Sequence, residues 1–247
     1  MNAAANQTGD PHTGASSIQT YARAAGVLFL LSIIGGAFGE FYVPSKLIVS
    51  GDATATAHNI VTMNSMFRLG FAGYLLEAIC DISLTLVFYV LLKPVNRNIA
   101  LLAAFFGLVA TSVFAGGELF FFGSSLILSG TDFMKTFTPD QINSLAMLSL
   151  KFYGLCAGIF MAFYGIGAVI RGYLMYRSGF LPRFLGALFM LAGVGFIARN
   201  FVLVLAPAYE SDFFLAPMPI AGVALTVWML VKGVDVKKWQ ARAVAGN

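Results

Sequence analysis

The sequence is poor in charge. Only 11% of its 247 residues are Asp, Glu, Lys or Arg, whereas soluble domains carry about 25%. Hydrophobic residues make up 59% of the chain, and its mean hydropathy is +0.83. These values exclude an ordinary soluble enzyme, and 24 Phe with 10 Met exclude a disordered or fibrous chain. A polytopic membrane protein is the class that remains.

Metal ligands and catalytic motifs are also scarce. Cys80 and Cys156 are the only cysteines, and both lie in apolar stretches, so we expect neither a disulfide framework nor a Cys/His metal cluster. His12 and His58 are the only histidines, and both lie outside the long apolar stretches, which argues against an intramembrane haem or a His-rich metal site. The GxSxG, HExxH, GxxxxGKS/T and DDxxD patterns are absent. We therefore expect no cofactor.

Six segments are long enough to cross a membrane, which takes about 20 mainly apolar residues. They are residues 21–43, 66–92, 99–129, 145–176, 184–206 and 218–234. The sequence thus predicts an all-α, six-helix transmembrane domain over residues 21–236. It also predicts a disordered polar tail at 1–20 and a basic cytoplasmic tail at 237–247. Thr138, Pro139 and Gln141 form the pattern of a capping box, so the fourth helix should begin outside the bilayer.

Basic residues are concentrated at alternate ends of the predicted spans. One set of ends carries Arg23, Lys93, Arg97, Arg177, Arg183, Lys232, Lys237, Lys238 and Arg242, whereas the opposite loops carry Asp52, Asp132, Asp140, Glu210 and Asp212 against Lys46 and Lys135. By the positive-inside rule, both termini are predicted to be cytoplasmic. Because the basic residues set orientation, the net charge of +4 does not indicate a nucleic-acid partner. The predicted location is a membrane that the chain crosses several times, where the partner is the lipid bilayer.

Several charged residues lie inside the predicted spans, where they are costly and usually face a bundle interior or a wet cavity. At about 1.5 Å per residue, Glu40, Glu118 and Arg199 lie in the outer half, and Arg68 and Lys151 enter from the same side. Small residues share a helix face with most of these charges, so we expect the charges to point inward. In the functional hypothesis, the three basic side chains bind anionic groups of a ligand in an outward-facing polar cavity, and the two glutamates hold them in place. The alternative is a set of ion pairs that only fixes helix register.

A second hypothesis concerns two carboxylates in the second span. Glu77 and Asp81 are four residues apart and lie on one helix face near the middle of the bilayer, so they can share a proton or bind a cation. This arrangement suits proton or cation coupling. The alternative is structural: one carboxyl group is protonated and hydrogen-bonded to a neighbouring helix, or it pairs with a basic group that the sequence does not identify.

Several short blocks of the sequence carry a family resemblance. They are residues 47–57, 67–70, 94–98, 176–183 and 230–234. Their combination resembles the bacterial family known only as domain of unknown function 4386, over nearly the whole chain from about residue 21 to residue 234. The resemblance implies a six-helix integral membrane protein, with the bacterial cytoplasmic (inner) membrane as the expected location, and no assigned activity.

Three classes of function remain open. The leading hypothesis is a non-enzymatic protein that binds a small amphipathic or anionic ligand, or a lipid, with transport as a variant that a helix broken near Gly116 and Gly117 would support. The second is a membrane enzyme that uses Glu77, Asp81 or Glu118 with Lys151, since a buried lysine can act as a nucleophile. The third is a structural subunit whose charges face another chain. A homodimer through the glycine faces also stays open.

Overall fold

The computed structural model describes residues 11–245, which form helices and short connections without a β-strand. Six helical segments in this part of the chain are long and apolar enough to cross a membrane, so the predicted fold class is confirmed. The helices are α1 (Pro11–Gly36), α2 (Val43–Leu47), α3 (Ala53–Thr62), α4 (Asn64–Leu92), α5 (Arg97–Ile127), α6 (Pro139–Ser178), α7 (Arg183–Leu205), α8 (Pro217–Val231) and α9 (Val236–Ala245). A π-helical turn, Ala37–Tyr42, joins α1 to α2, and these three pieces make up the first span.

The spanning helices close into a ring. Each of α1, α4, α5, α6 and α7 packs against the next spanning helix in the chain, and α8 packs back against α1. Short connections favour this order, because helices joined by a few residues are neighbours in space. The short helix α3 lies against α6 at the end of the bundle where α4 begins. The interior of the ring is therefore lined by one face of each spanning helix.

Glycine lets neighbouring backbones of the ring approach closely. A Cβ added to Gly35 of α1 would lie 2.9 Å from the carbonyl oxygen of Gly73 in α4. Between α6 and α7, a Cβ on Gly165 would lie 2.7 Å from the Gly193 carbonyl oxygen, and one on Gly172 would lie 2.7 Å from that of Gly186. These glycines recur at seven-residue intervals on antiparallel helices, so the two helices meet along one straight seam.

The long fourth span begins where its capping box predicts. The Thr138 backbone N–H donates to Gln141 Oε1 at 2.9 Å, and the Gln141 N–H donates to Thr138 Oγ1 at 3.4 Å. With Pro139 at its first position, α6 then runs for 40 residues. By contrast, α5 passes through Gly116 and Gly117 without a break. The interruption lies in the first span, at the π-helical turn.

The predicted polar tail over residues 1–20 overlaps the first helix that the structure describes. Helix α1 begins at Pro11, ten residues before the predicted span. The reason is tertiary: Ile18 is buried in the core, and the Gln19 side chain donates to the Lys232 carbonyl at 2.9 Å and accepts from the Val234 N–H at 3.1 Å. The hydrogen bonds of Gln19 thus hold this part of α1 against the end of α8. Residues 1–10 lie outside the described residues.

The basic C-terminal segment is helical as far as the structure describes it. Helix α9 carries the predicted basic residues, and its Trp239 indole N–H donates to the Leu91 carbonyl oxygen at the end of α4, at 2.8 Å. Asp235 precedes the helix and accepts a hydrogen bond from the Lys238 N–H at 3.2 Å. The helix is therefore docked against the bundle at the end where α8 terminates.

Candidate functional site

A cavity of about 280 Å³ lies between α1, the π-helical turn, α4, α6, α7 and α8. Its walls are mainly apolar and include Phe160, Met161, Phe196, Met218 and Val223. Three acidic residues also line it: Glu40, Glu77 and Asp81. An apolar hollow with a few convergent polar groups is the usual form of a small-molecule site, so this cavity is the candidate functional site.

Close packing of α1 on α4 brings the carboxyl groups together. A Cβ on Gly36 would lie 2.8 and 2.9 Å from the two carboxyl oxygens of Glu77, so glycine is what leaves room for this side chain. Glu40 lies one turn beyond Gly36 on the π-helical turn. Among the described residues, Glu77 Oε2 is buried without a hydrogen-bond partner. The sequence prediction that Glu77 faces the interior of the bundle agrees with this placement.

Asp81 lies one helical turn from Glu77 and deeper in the bundle. Its side chain is almost fully buried, with 9% of the residue exposed. Ser32 of α1 donates a hydrogen bond to Asp81 Oδ1 at 3.1 Å. Glu77 and Asp81 therefore line the same cavity, and Asp81 accepts a hydrogen bond from a neighbouring helix.

The cavity reaches the outside of the bundle between α1 and α8. Two of its lining residues are strongly exposed, Phe41 at 69% and Val223 at 52%. Both lie within candidate membrane spans, where the exposed surface contacts lipid chains. Leu215 and Met218 line the cavity near the beginning of α8, the end that the charge distribution predicts to be outside. The cavity therefore has a lipid-facing side between the first span and α8, and it extends toward the end of the bundle where α8 begins.

The predicted inward placement of Lys151 is wrong. Its side chain is exposed, and it is not among the described residues that line the cavity. Tyr153 faces the interior instead, where its hydroxyl donates to the Tyr74 hydroxyl at 3.0 Å. Residues two apart in a helix point about 200° away from each other, so Lys151 lies on nearly the opposite face. The small residues of α6 occur on more than one face, which is why their spacing was misleading.

Arg68 is likewise apart from the cavity. The residue is exposed, and its Nε donates to Asn64 Oδ1 one turn earlier in α4 at 2.8 Å. The side chain is therefore held at the beginning of its own helix. The structure does not bring Arg68, Lys151 and Arg199 together as one cationic cluster, and their role in ligand binding stays a prediction.

Arg199 is engaged by the loop between α7 and α8. Its Nη2 lies 3.0 Å from Glu210 Oε1 and 3.4 Å from Asp212 Oδ1. The partners anticipated from the sequence were Glu40 or Glu118, whereas Arg199 pairs with two carboxylates of the loop. The same loop reaches α7 one turn earlier, because the Phe214 carbonyl oxygen occupies the space beside Gly195. The arginine therefore fastens the loop over the end of α7.

Glu118 occupies a separate position in α5. Only 2% of the residue is exposed, and among the described residues neither carboxyl oxygen has a hydrogen-bond partner. The aromatic rings of Phe114 and Phe121, one turn on either side, pack against Tyr74 with centroid distances of 5.9 and 5.1 Å. Glu118 thus faces the interior as predicted. It is not among the described residues that line the cavity.

Arg171 is the functional candidate that sequence reasoning missed. Only 6% of the residue is exposed, and its guanidinium carbon lies 5.0 Å from the ring centroid of Tyr164. Among the described residues, its Nε and Nη2 atoms have no hydrogen-bond partner. Arg171 lines a small chamber together with Asp81, so a basic group that the sequence analysis did not identify lies near this carboxyl group. One feature of the sequence could have identified Arg171: its positive charge lies five residues inside the predicted end of span four.

The site offers carboxyl, hydroxyl and guanidinium groups rather than a metal centre. Within residues 11–245, no group of three or more His, Cys, Asp or Glu side chains is arranged to hold a metal ion. Carboxyl groups in a cavity of this kind can bind a cation or exchange protons.

The fold defines a multi-pass membrane protein with an acidic cavity between its helices. The chain belongs to the family described as Domain of unknown function (DUF4386), whose model matches residues 24–233. It is also 26% identical over 161 residues to an uncharacterized protein of Archaeoglobus fulgidus, an alignment that covers 65% of this chain and 82% of that protein. No solved structure matches the chain. The family resemblance noted in the sequence is therefore confirmed.

Proposed function

We propose that this protein binds a small amphipathic molecule with a cationic group in the cavity between α1, α6, α7 and α8. The observation that carries the proposal is the convergence of three carboxyl groups, those of Glu40, Glu77 and Asp81, on one mainly apolar cavity. A cationic group would lie against the carboxyl groups, and the apolar remainder would contact the cavity walls. The volume of about 280 Å³ is near the lower end of the range for small-molecule sites.

The sign of the ligand follows from which charges reach the cavity. An anionic group would have to lie against like charges in a low dielectric, which is unfavourable. The basic residue closest to the cavity among the three predicted is Arg199, whose Nη1 lies 3.9 Å from the sulfur of the lining residue Met161. Its Nη2 already faces Glu210 and Asp212. A cation therefore suits the cavity better than the anionic ligand considered from the sequence.

Transport is a variant of this proposal. The π-helical turn interrupts the first span next to Glu40, and such interruptions often mark functional positions in membrane helices. The lipid-facing side of the cavity gives a membrane-dissolved molecule access to the carboxyl groups. In this variant Glu77 and Asp81 would exchange a proton for the bound cation. The enzyme hypothesis through Lys151 has less support, because that side chain lies on the exposed face of α6.

The first experiment is native mass spectrometry of the gently purified full-length protein, followed by identification of the released small molecules. A retained amine or quaternary ammonium compound at stoichiometric amount would support the proposal. Binding is then measured by calorimetry with benzyltrimethylammonium, and benzylsulfonate serves as the anionic probe of similar size. We expect saturable binding of the cation only.

The variant that tests the site is Glu77→Gln, which removes one carboxylate and keeps the side-chain shape. Binding of benzyltrimethylammonium should weaken strongly in this variant. The control is Asp132→Asn, because Asp132 is an exposed carboxylate that is not among the described lining residues. Preferential binding of benzylsulfonate, or equal loss of binding in both variants, would contradict the proposal.

A further inference from the structure

Two small chambers extend from the cavity toward the end of the bundle where α4 terminates. The first chamber is lined by Asp81, Thr85, Thr111, Tyr164 and Arg171, and it shares Asp81 and Tyr164 with the cavity. The second is lined by Thr85, Tyr89, Leu92, Ala100 and Arg171, and it shares Thr85 and Arg171 with the first. Each has a volume of about 10 Å³, which is about the space that one water molecule needs.

The groups around the first chamber complement water. The Thr85 hydroxyl donates its proton to the Asp81 carbonyl oxygen at 2.9 Å, and the Thr111 hydroxyl donates to the Gly107 carbonyl oxygen at 3.0 Å. Both hydroxyl oxygens are therefore left as acceptors toward the chamber. Arg171 supplies donors, because its Nε and Nη2 have no partner among the described residues. A halide would find hydrogen-bond donors only on Arg171 and would face the Asp81 carboxyl group. Water can accept a hydrogen bond from Arg171 and donate one to Asp81.

The position of the guanidinium determines what such water can do. Arg171 lines both chambers, so a proton that moved from Asp81 toward the end of α4 would have to pass beside its positive charge. The other titratable groups around the two chambers are Tyr164, which lies under the guanidinium, and Tyr89 on α4. Neither neutralises Arg171. A fixed arginine charge beside a narrow water path is an electrostatic barrier to protons.

We propose that internal water bridges Asp81 and Arg171, and that the Arg171 guanidinium is the barrier that stops protons from crossing the bundle through these chambers. The cavity carboxyl groups then exchange protons only with the side of the membrane where α8 begins, the end near which Leu215 and Met218 line the cavity. This restriction keeps the membrane tight although the bundle contains buried acidic groups. The proposal does not require a ligand in the cavity, and it stands whether or not a cation binds there.

The test measures proton leak through the full-length protein in liposomes that enclose the pH dye pyranine. A potassium gradient with valinomycin sets the membrane potential. Wild-type vesicles should acidify as slowly as protein-free vesicles, and Arg171→Gln vesicles should acidify several-fold faster. Arg171→Lys keeps the charge and should stay tight. In the double variant Arg171→Gln with Thr85→Val, the leak should fall again, because an acceptor shared by the two chambers is lost.

The matched control for the threonine change is Thr226→Val. Thr226 is buried, and its hydroxyl donates to the carbonyl four residues earlier, as those of Thr85 and Thr111 do, but it is not among the described residues that line either chamber. Adding Thr226→Val to Arg171→Gln should leave the leak unchanged. If vesicles with folded Arg171→Gln protein acidify as slowly as wild-type vesicles, Arg171 is not the barrier and the proposal is wrong.

A measurement on the wild-type protein covers the case in which Arg171→Gln does not fold. Solid-state NMR of protein with ¹⁵N-labelled arginine, in lipid, detects magnetisation transfer from water to side-chain nitrogens. The Arg171 Nε signal, assigned by its absence in Arg171→Lys, should receive this transfer although the residue is buried. If the Arg171 Nε signal receives no magnetisation from water, the proposal is wrong, because no water path would then exist.

Discussion

Ser32 and Asp81 join α1 to α4 through one buried hydrogen bond, with 3.1 Å between Ser32 Oγ and Asp81 Oδ1. The bond lies at the deep end of the candidate cavity, where both residues are lining residues. It fixes the Asp81 carboxyl group between the cavity and the chamber that contains Arg171. The position of this one carboxyl group therefore connects the stability of the bundle to its proposed chemistry.

Removal of this bond should cost a measurable part of the stability. We expect Ser32→Ala to lower the free energy of unfolding by about 0.6 kcal/mol and by no more than about 1.7 kcal/mol, the range for hydrogen bonds between membrane helices. The matched control is Ser112→Ala, since Ser112 is exposed and its hydroxyl donates only to the Leu108 carbonyl of its own helix. Thermal or denaturant unfolding in detergent measures both. Equal effects of the two changes would mean that the bond contributes nothing.

The close glycine contacts between α6 and α7 predict that two Gly→Ala variants differ in stability. A Cβ on Gly193 would lie 2.5 Å from the Gly165 carbonyl oxygen, whereas a Cβ on Gly154 would meet no atom within 4 Å. Gly193→Ala should therefore destabilise the protein by about 1–3 kcal/mol, the usual cost of overpacking. Gly154→Ala should be neutral or stabilising by up to about 1 kcal/mol through helix propensity. The unfolding midpoint in detergent tests both, and the opposite order would contradict the seam.

Removal of the Arg199 ion pair should loosen one loop rather than destabilise the whole protein. Arg199→Gln or Glu210→Gln should each loosen the loop at residues 206–216, with a cost of about 1 kcal/mol for a pair that is partly exposed. Limited proteolysis of the loop measures this. The exchange of both residues, Arg199→Glu with Glu210→Arg, should restore part of the protection. The control is Asp132→Asn, because the Asp132–Lys135 pair is exposed. If the exchanged protein is cleaved faster than either single variant, the pair does not hold the loop.

The docking of α9 should depend on acidic pH. The backbone N–H of Lys238 donates to Asp235 and holds the pKa of that carboxyl group below its usual value of 3.8. Because the pKa is lowered in the folded state, the stabilisation is complete above pH 3.8 and is lost as the pH falls through the lower folded-state value. Helix α9 should then fray, since its first turn loses a capping acceptor.

Tryptophan fluorescence measures this transition. The chain has two tryptophans, so the Trp228→Phe background leaves Trp239 as the reporter, whose indole N–H is bonded to Leu91. Acidification should shift its emission to the red. In Asp235→Asn the side chain keeps an oxygen acceptor without a titrating carboxyl group, and the acid shift should disappear. If the acid-induced shift of the Trp239 emission is unchanged in Asp235→Asn, a group other than Asp235 causes it.

Hydropathy and helix-capping patterns depend on short stretches of the chain, so the structural features that follow from them were predictable from the sequence. The six spans follow from the length of apolar runs, because an apolar run of this length needs a bilayer or a buried core. The beginning of α6 follows from Thr138 and Gln141, which lie three residues apart in the chain. The shared face of Glu77 and Asp81 follows from a spacing of four within one helix. Each of these features needs no knowledge of a neighbouring helix.

Only the tertiary structure decided which helix face meets which neighbour. Lys151 and Gly158 appeared to share an inward face, but Lys151 is exposed whereas Gly158 is buried. Arg171 lay near the end of its span, and its contact with the chamber of Asp81 depends on how α6 is rotated against α4 and α5. That rotation is set by steric contacts such as Gly165 on Gly193. The sequence by itself determined the number of spans, their approximate limits and the beginning of α6. Close packing between helices decided which charges are buried together, because small residues permit contact on several faces and the assembled bundle uses only some of them.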